Sequence, residues 1–218
     1  MMRRLLAEAS GALLLAAAVI GSGIMAERLA DGNTAVALLA NTGATVAALA
    51  VLIALFGPMT GAHFNPVITV VATTKGLLPV GEAAAYIAVQ ILGCCLGAIL
   101  ANAMFELPLL QFSSHSRTGA AQWLSEAVAT AGLVLVAFTA PSVKEAAWRV
   151  PAWIGAAYWF TASTSFANPA ITLGRTLTDT FTGIRPIDAV GFILAQIAGG
   201  LLGLVATRVF PSGKAETR

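Results

Sequence analysis

GAHFNPV at residues 61–67 and FANPA at residues 166–170 decide the fold of this sequence. In each stretch Asn-Pro begins an apolar segment, at about residues 65–75 and 168–178. Asn is a preferred N-cap and Pro a preferred first helical residue, so each stretch predicts the start of a helix. About ten residues give about 15 Å, half of a bilayer core of about 30 Å. The two motifs therefore predict half-helices that enter a membrane without crossing it.

Composition supports a membrane setting for these motifs. Of 218 residues, 58% are hydrophobic and 10% are charged, and the mean hydropathy is +0.85. Soluble domains have about 45–50% apolar and about 25% charged residues. A net charge of +2 is too small to attract nucleic acid. These values exclude a soluble enzyme and a nucleic-acid-binding protein, and they indicate an integral membrane protein.

Six further stretches are long enough to cross a bilayer. They lie at about 4–27, 35–56, 82–104, 122–140, 147–165 and 187–210. The first stretch resembles a signal peptide, but its apolar run continues to Met25 without a clear cleavage site, which favours a retained span. Six spans place both termini on one side, which then carries eight of the twelve Lys and Arg residues, including Lys214 and Arg218. This bias predicts cytoplasmic termini.

The two halves of the chain have the same order of polar residues. Each half has a Glu in its first span, then Asn-Pro, then a Gln in its third span, followed by apolar runs with glycines that suit close helix packing. The acids are Glu8 and Glu126, and the amides are Gln90 and Gln196. Because three spans is an odd number, the second half enters from the opposite side. The sequence thus predicts inverted repeats at 1–110 and 118–218.

Inverted half-helices would meet head to head at the membrane midplane. Their positive dipole ends would repel cations and protons there. The amides of Asn65 and Asn168 would donate to a passing oxygen, while Pro66 and Pro169 begin the helices. The non-helical approach chains would present carbonyl acceptors, since bare backbone is tolerated at this depth only beside water or protein. Those approach residues are Gly61, Ala62, His63, Phe64, Thr164, Ser165, Phe166 and Ala167.

Several polar residues within the spans allow two interpretations. An acid within a span is costly unless it is partnered, so Glu8 and Glu126 either accept backbone N–H groups of the nearby approach chain or lie near the interface. Gln90 and Gln196 either brace the bundle or are buried amides satisfied between helices. His63 either lines the approach on the terminal side or packs within its loop.

The paired Asn-Pro motifs, with matching Glu and Gln, resemble the aquaporin, or major intrinsic protein, family over essentially the whole chain. The resemblance implies an all-α fold of six transmembrane helices and two re-entrant half-helices, forming one channel domain. It implies a homotetramer with one pore per subunit. It also implies that Glu8 and Glu126 hold the re-entrant loops.

The sequence departs from the family at the outer constriction. Many members have Arg directly after the second Asn-Pro-Ala, whereas this chain has Ile171. Counting by analogy places the other constriction residues at Thr45, Ser165 and Ala156 (or its neighbour Ala157). None of these residues is aromatic, which predicts a wide constriction.

Arg175 lies one helical turn beyond Ile171, on the same face of the half-helix. Its side chain either reaches back to the pore and replaces the missing charge, or pairs with Asp179. The run at 168–179 resembles a bacterial branch of the family linked with arsenite and other undissociated metalloid hydroxides.

These observations predict a passive channel for water and small uncharged solutes, with glycerol and arsenous acid as expected cargo and ions and protons excluded. The alternatives are a strictly water-selective channel and an ion-coupled transporter, for which only Glu8 and Glu126 offer titratable groups. An enzyme is not expected, because the chain lacks His-Glu-x-x-His and Gly-x-Ser-x-Gly. We expect no cofactor, metal or nucleic acid. The expected partners are membrane lipid and further copies of the chain, in the cell (inner or plasma) membrane.

Overall fold

A computed structural model describes residues 1–211, which form eight α-helices. Lys214 and Arg218, used in the charge count above, lie outside the described residues. The helices are α1 (Met2–Leu29), α2 (Thr34–Thr60), α3 (Pro66–Thr74), α4 (Val80–Met104), α5 (Ala120–Thr139), α6 (Val143–Phe160), α7 (Pro169–Arg175) and α8 (Pro186–Val209). Six long helices and two short ones confirm the predicted fold class.

The two short helices begin where the Asn-Pro motifs predicted, and they end earlier than expected. α3 has nine residues and α7 has seven. α7 ends at Arg175 because the chain turns back there: the N–H of Ile184 donates to the Arg175 carbonyl at 3.3 Å. The residues after it, 176–185, form the α7–α8 loop.

Five of the six long helices have the length and apolar composition of a membrane span. The exception is α6, which has 18 residues and carries Lys144, Glu145 and Arg149 in its first half. Ser142 caps α6, and Glu145 forms an ion pair with Arg149 at 2.8 Å. These charges lie at one end of the helix, so its remaining residues are apolar.

Side-chain contacts define two faces of the helix bundle. Arg4 pairs with Glu82 at 2.6 Å, which places the starts of α1 and α4 at the same face. Lys75 donates to Thr207 at 3.1 Å, which places the end of α8 there as well. We call this the terminal face. The ends of α1 and α4 lie at the opposite face, where Arg28 donates to the Phe105 carbonyl at 3.1 Å.

Glycines bring two pairs of long helices into backbone contact. A Cβ at Gly93 or Gly97 of α4 would meet the carbonyl oxygens of Ala9 or Leu13 in α1. Gly199 and Gly203 of α8 lie in the same way against Ala127 and Ala131 of α5. The predicted close packing at these glycines is confirmed. Small residues are the usual means of helix association in lipid, where apolar burial gives no net driving force between helices.

Candidate functional site

A cavity of about 580 Å³ lies between the helices and reaches the centre of the bundle. Near the terminal face it is lined by Arg4, Leu77 and Phe138. It passes Asn65 and Asn168 at the centre. Towards the opposite face it ends among Thr45, Tyr158, Ser165, Phe166, Ile171 and Arg175.

Each central asparagine caps its own short helix. The Oδ1 atom of Asn65 accepts from the N–H of Val67 at 2.9 Å. The Oδ1 atom of Asn168 accepts from the N–H groups of Ala170 at 2.9 Å and Ile171 at 3.3 Å. Because each oxygen is occupied in this way, the nitrogen of each amide is the atom free to contact something else.

Each amide nitrogen also contacts the other half of the chain. Asn65 Nδ2 donates to the carbonyl of Ala167 at 2.8 Å, and Asn168 Nδ2 donates to the carbonyl of Phe64 at 2.8 Å. These reciprocal bonds join the starts of α3 and α7. They use one of the two N–H groups of each amide, so one N–H per asparagine remains available at the cavity wall.

The approach segments, residues 61–64 and 164–167, have an irregular backbone. Residues one and three positions before each Asn have positive φ: Ala62 at 49° and Phe64 at 46°, then Ser165 at 52° and Ala167 at 48°. L-residues adopt this region at a cost, and the surrounding structure must hold them there. These segments therefore lack the regular backbone hydrogen bonds of a helix or strand, and their N–H groups need other acceptors.

Two buried carboxylates supply those acceptors. Glu8 accepts from the N–H groups of His63 at 3.0 Å and Phe64 at 2.8 Å. Glu126 accepts from Phe166 at 2.9 Å and Ala167 at 2.8 Å. In both halves the donors stand two and one residues before the Asn. Both acids are fully buried, so neither lies at the interface.

Each Gln links its acid to the neighbouring short helix. Gln90 Nε2 donates to Glu8 at 2.8 Å and to Thr69 at 2.9 Å. Gln196 Nε2 donates to Glu126 at 2.6 Å and to Thr172 at 2.9 Å. Sequence reasoning missed both threonines, although each stands four residues after its Asn, which is the signal that identifies them.

The first approach segment lines the cavity with three of its four residues: Gly61, Ala62 and His63. His63 agrees with both interpretations: it borders the cavity, and its Nδ1 also bonds to Thr69 at 3.1 Å. The Phe64 side chain points away and packs edge-on against Phe56, with ring centroids 6.1 Å apart. Phe64 therefore contributes only its backbone.

The second approach segment differs at its first residue. Thr164 does not line the cavity, whereas Ser165, Phe166 and Ala167 do. The N–H of Thr164 turns back to the Thr161 carbonyl at 3.3 Å, which places this residue in the turn that ends α6. The Ser165 hydroxyl is buried at the cavity without a partner among residues 1–211.

The assignment of Ala156 to the outer constriction is wrong. Ala156 is exposed on the outer surface of α6, and the cavity is lined instead by Val150, Ile154 and Tyr158, at intervals of four residues. Ala156 stands two residues from Ile154, about 200° around the helix, so it faces away. The alternative, Ala157, is buried in the helix core and is not at the cavity.

The end of the cavity at which the sequence predicts the constriction is consequently not free of aromatic residues. The Tyr158 hydroxyl lies 3.3 Å from the Thr45 hydroxyl, so α6 and α2 are bonded across the end of the cavity. With Phe166 this gives two aromatic side chains at a position where the sequence predicted none. Thr45, Ser165, Ile171 and Arg175 line the cavity here as well.

Arg175 borders the cavity and does not pair with Asp179. Its guanidinium carbon lies 3.3 Å from the centroid of the Phe166 ring, and its Nε donates to the Thr182 carbonyl. The Asp179 carboxylate is occupied elsewhere, because it accepts from Ser114 N–H at 2.8 Å. That bond lowers the pKa of the Asp179 carboxyl below its ordinary value.

The cavity lining combines polar and apolar side chains. Its charged side chains within residues 1–211 are both arginines, Arg4 and Arg175, and no carboxylate borders it. The apolar lining includes Leu15, Val19, Leu49, Ile53, Ile68, Leu133, Val150, Ile154 and Ile171. Such a lining can bond hydroxyl groups on one side of a molecule while its carbon atoms contact the other.

Comparisons with known proteins agree with this geometry. The sequence profile of the family described as Major intrinsic protein matches residues 1–162. The chain is 50% identical over 208 residues to the aquaglyceroporin AqpS of Rhizobium meliloti, covering 94% of this chain and 89% of the relative. It is 31% identical over 149 residues to a glycerol uptake facilitator protein of Streptococcus pneumoniae, covering 66% and 56% respectively. The aquaglyceroporin structure from Plasmodium falciparum superposes with a TM-score of 0.68 at 19% identity, covering 96% of this chain and 95% of that one, which shows a shared fold.

Proposed function

The chain belongs to the major intrinsic protein family, and on that premise we propose which residues conduct and select its solutes. It is a multi-pass membrane channel for water and small neutral solutes such as glycerol, and it is not an enzyme. The cavity described above is the conducting pore in this proposal. Asn65 and Asn168 bind each solute at its centre.

The amphipathic lining is the observation that carries this proposal. Glycerol has three hydroxyls on one edge and a carbon backbone on the other. At the centre, the free N–H groups of Asn65 and Asn168 donate to its oxygens while Ile68 and Leu133 contact its carbons. Two of its three hydroxyls regain a hydrogen bond that they had with water, which lowers the cost of dehydration.

Ions do not regain their hydration in this pore. No carboxylate borders the cavity within the described residues, so a cation finds no compensating charge. Arg175 stands at its outer end and repels cations, whereas Arg4 at the terminal end is paired with Glu82. The short helices α3 and α7 direct their positive ends at the centre, which adds to the barrier for a proton.

Arg175 is the charged member of the outer constriction in this proposal, with Thr45, Tyr158, Ser165 and Ile171. Only its Nε has a hydrogen-bond partner among residues 1–211. Its terminal nitrogens are therefore free to donate to a solute. The arginine expected directly after Ala170 is thus replaced by one that stands a helical turn later.

Arsenous acid belongs to the same class of solutes. It is compact, carries three hydroxyls and is uncharged at neutral pH, so the donors that suit glycerol suit it too. The resemblance of residues 168–179 to the arsenite-linked branch supports this cargo. We include undissociated metalloid hydroxides in the proposal on these grounds.

Stopped-flow light scattering of proteoliposomes tests the solute range. Relative to empty liposomes, we expect faster osmotic shrinkage for water and faster re-swelling on solute entry for glycerol and arsenous acid. The Tyr158 ring at the constriction favours the alternative of a strictly water-selective channel. Water flux without glycerol flux would establish that alternative, and solute flux that follows an imposed pH or sodium gradient would establish a coupled transporter.

We also propose the assembly and orientation that family membership implies. The chain forms a homotetramer in the cell membrane, with residues 1–110 and 118–218 as inverted repeats and both termini cytoplasmic. Large exposed apolar side chains on every long helix support a surface that faces lipid or other subunits. Arg3, Arg4, Lys75 and Lys144 at the terminal face support the orientation. Cross-linking in membranes and labelling of single cysteines from either side would test both statements.

A further inference from the structure

We propose that Phe166 and Arg117 are positioning residues for Arg175, so that a loop between the two halves of the chain sets the selectivity of the pore. This inference rests on the proposed function, which places Arg175 in the constriction. An arginine one turn beyond its usual place is attached to a different part of α7. It needs contacts that hold its long side chain towards the cavity.

Phe166 supplies the first of these contacts. Its ring contacts two guanidinium groups, that of Arg175 at 3.3 Å and that of Arg117 at 5.3 Å from the ring centroid. A second aromatic residue fixes the ring itself, since Phe192 of α8 packs edge-on against it at 5.0 Å. Arg175 is thus held on a rigid aromatic surface, and a desolvated contact of this kind is among the stronger cation–π interactions.

The α7–α8 loop supplies the second contact. Arg175 Nε donates to the Thr182 carbonyl, and the Arg175 carbonyl accepts from the N–H of Ile184. Thr182 and Ile184 are the two neighbours of Gly183. The position of Gly183 therefore determines where the Arg175 side chain is held.

Arg117 fixes that position from the loop between the two halves of the chain. It belongs to the α4–α5 loop, residues 105–119, and its Nε donates to the Gly183 carbonyl at 2.8 Å. Its Nη2 donates to the Phe181 carbonyl at 3.1 Å, and its backbone N–H donates to the Asp188 carboxylate at 2.9 Å. One side chain thus holds the residues on both sides of Thr182, as well as one face of the Phe166 ring. Lysine could not replace it, because a single ammonium lacks the planar fork.

Phe166 and Arg117 should change selectivity through the position of Arg175 and not independently of it. The readout is the permeability of a five-carbon polyol, xylitol, relative to glycerol, which rises when the constriction opens. We expect Arg175→Met, Phe166→Leu and Arg117→Lys each to raise this ratio. For Phe166→Leu the rise should be about fivefold, which is the population factor that corresponds to the free energy of one cation–π contact. Phe166→Tyr should restore the native ratio because it keeps the ring.

Double variants separate positioning from general packing. In proteoliposomes matched for protein content, Phe166→Leu should raise the ratio in the native chain and add nothing to Arg175→Met. The control is Phe105→Leu, which removes a ring under Arg28 at 5.1 Å, away from the cavity. It should leave the ratio unchanged.

Three results would overturn the inference, and each contradicts a different part of it. Additive effects of Phe166→Leu and Arg175→Met would show that Phe166 acts independently. A raised ratio in Arg175→Met with a native ratio in both Phe166→Leu and Arg117→Lys would refute the positioning role alone. A native ratio in Arg175→Met, in a protein that conducts glycerol, would refute the place of Arg175 in the constriction and leave the channel function intact.

Discussion

The side-chain amide of Asn65 donates to the carbonyl of Ala167 at 2.8 Å, so the cap of one short helix is bonded to the segment that leads to the other. Asn168 does the same to Phe64. Each asparagine therefore has three roles at once: it caps its helix, it joins the two halves, and it offers one N–H to the cavity. Replacing it removes structure and chemistry together.

Asn168→Ala should destabilise the protein and weaken proton exclusion. The lost cap costs about 1 kcal/mol and the lost cross-bond about 1 kcal/mol more. Thermal unfolding in detergent and proton leak into pyranine-loaded liposomes would measure the two effects. The control is Asn33→Ala, which removes the exposed cap of α2 and should cost the cap energy without any leak. Native proton exclusion in a folded Asn168→Ala protein would contradict the central role of this residue.

Glu126→Leu should prevent stable folding. It leaves the N–H groups of Phe166 and Ala167 buried without acceptors, at about 1–3 kcal/mol each. Glu126→Gln keeps one acceptor oxygen and should cost less. Yield of monodisperse protein in size-exclusion chromatography is the measurement, and Glu82→Gln at the terminal face is the control. If Glu126→Leu folds normally and loses only flux driven by a pH gradient, a coupled transporter becomes the better description.

Tyr158→Ala should open the outer constriction, whereas Ala156→His should change nothing. Tyr158 lines the cavity and contacts Thr45, while Ala156 faces outward on the same helix. We expect faster xylitol flux in Tyr158→Ala, and native water and glycerol flux in Ala156→His. Tyr158→Phe keeps the ring and removes only the hydroxyl, so it should retain the native size limit. A reduced glycerol flux in Ala156→His would show that residue 156 lines the pore and would contradict its outward position.

Gly199→Ala should destabilise the pairing of α5 and α8. The added methyl would collide with the Ala127 carbonyl, and overpacking of this kind costs about 1–3 kcal/mol. Gly43→Ala is the matched control, since a Cβ there meets open space within a helix and should stabilise by up to about 1 kcal/mol. Thermal unfolding of the two variants should shift in opposite directions. Equal shifts would mean that the helices separate enough to absorb the methyl.

Much of the centre of the molecule could be predicted because its residues follow a repeated order. Asn-Pro specifies a helix start through local capping, and an acid within a span needs partners wherever it lies. The contacts expected for Glu8 and Glu126 follow from those two facts. Thr69 and Thr172 complete the same pattern, and their roles could have been predicted from the repeat in the same way.

The outer constriction could not be predicted in the same way. Choosing Ala156 required counting back from the second Asn-Pro across a turn of unknown length, and an error of two residues rotates the helix by about 200°. The environment of Arg175 depends on Arg117, which is 58 residues earlier in the chain and belongs to a loop without periodicity. Such a contact depends on tertiary structure that local patterns do not contain.

The charges of α6 have a consequence for biogenesis. α6 has 18 residues, and Lys144, Glu145 and Arg149 occupy one end of it, so its apolar part is shorter than the about 20 residues that cross a bilayer core. A helix of this kind enters the bilayer less readily alone than beside a neighbour. α5 is synthesised just before it, and the Trp153 indole of α6 donates to the Ala129 carbonyl of α5 at 2.9 Å. The order of synthesis thus provides α6 with a partner at the moment when it must leave the aqueous tunnel.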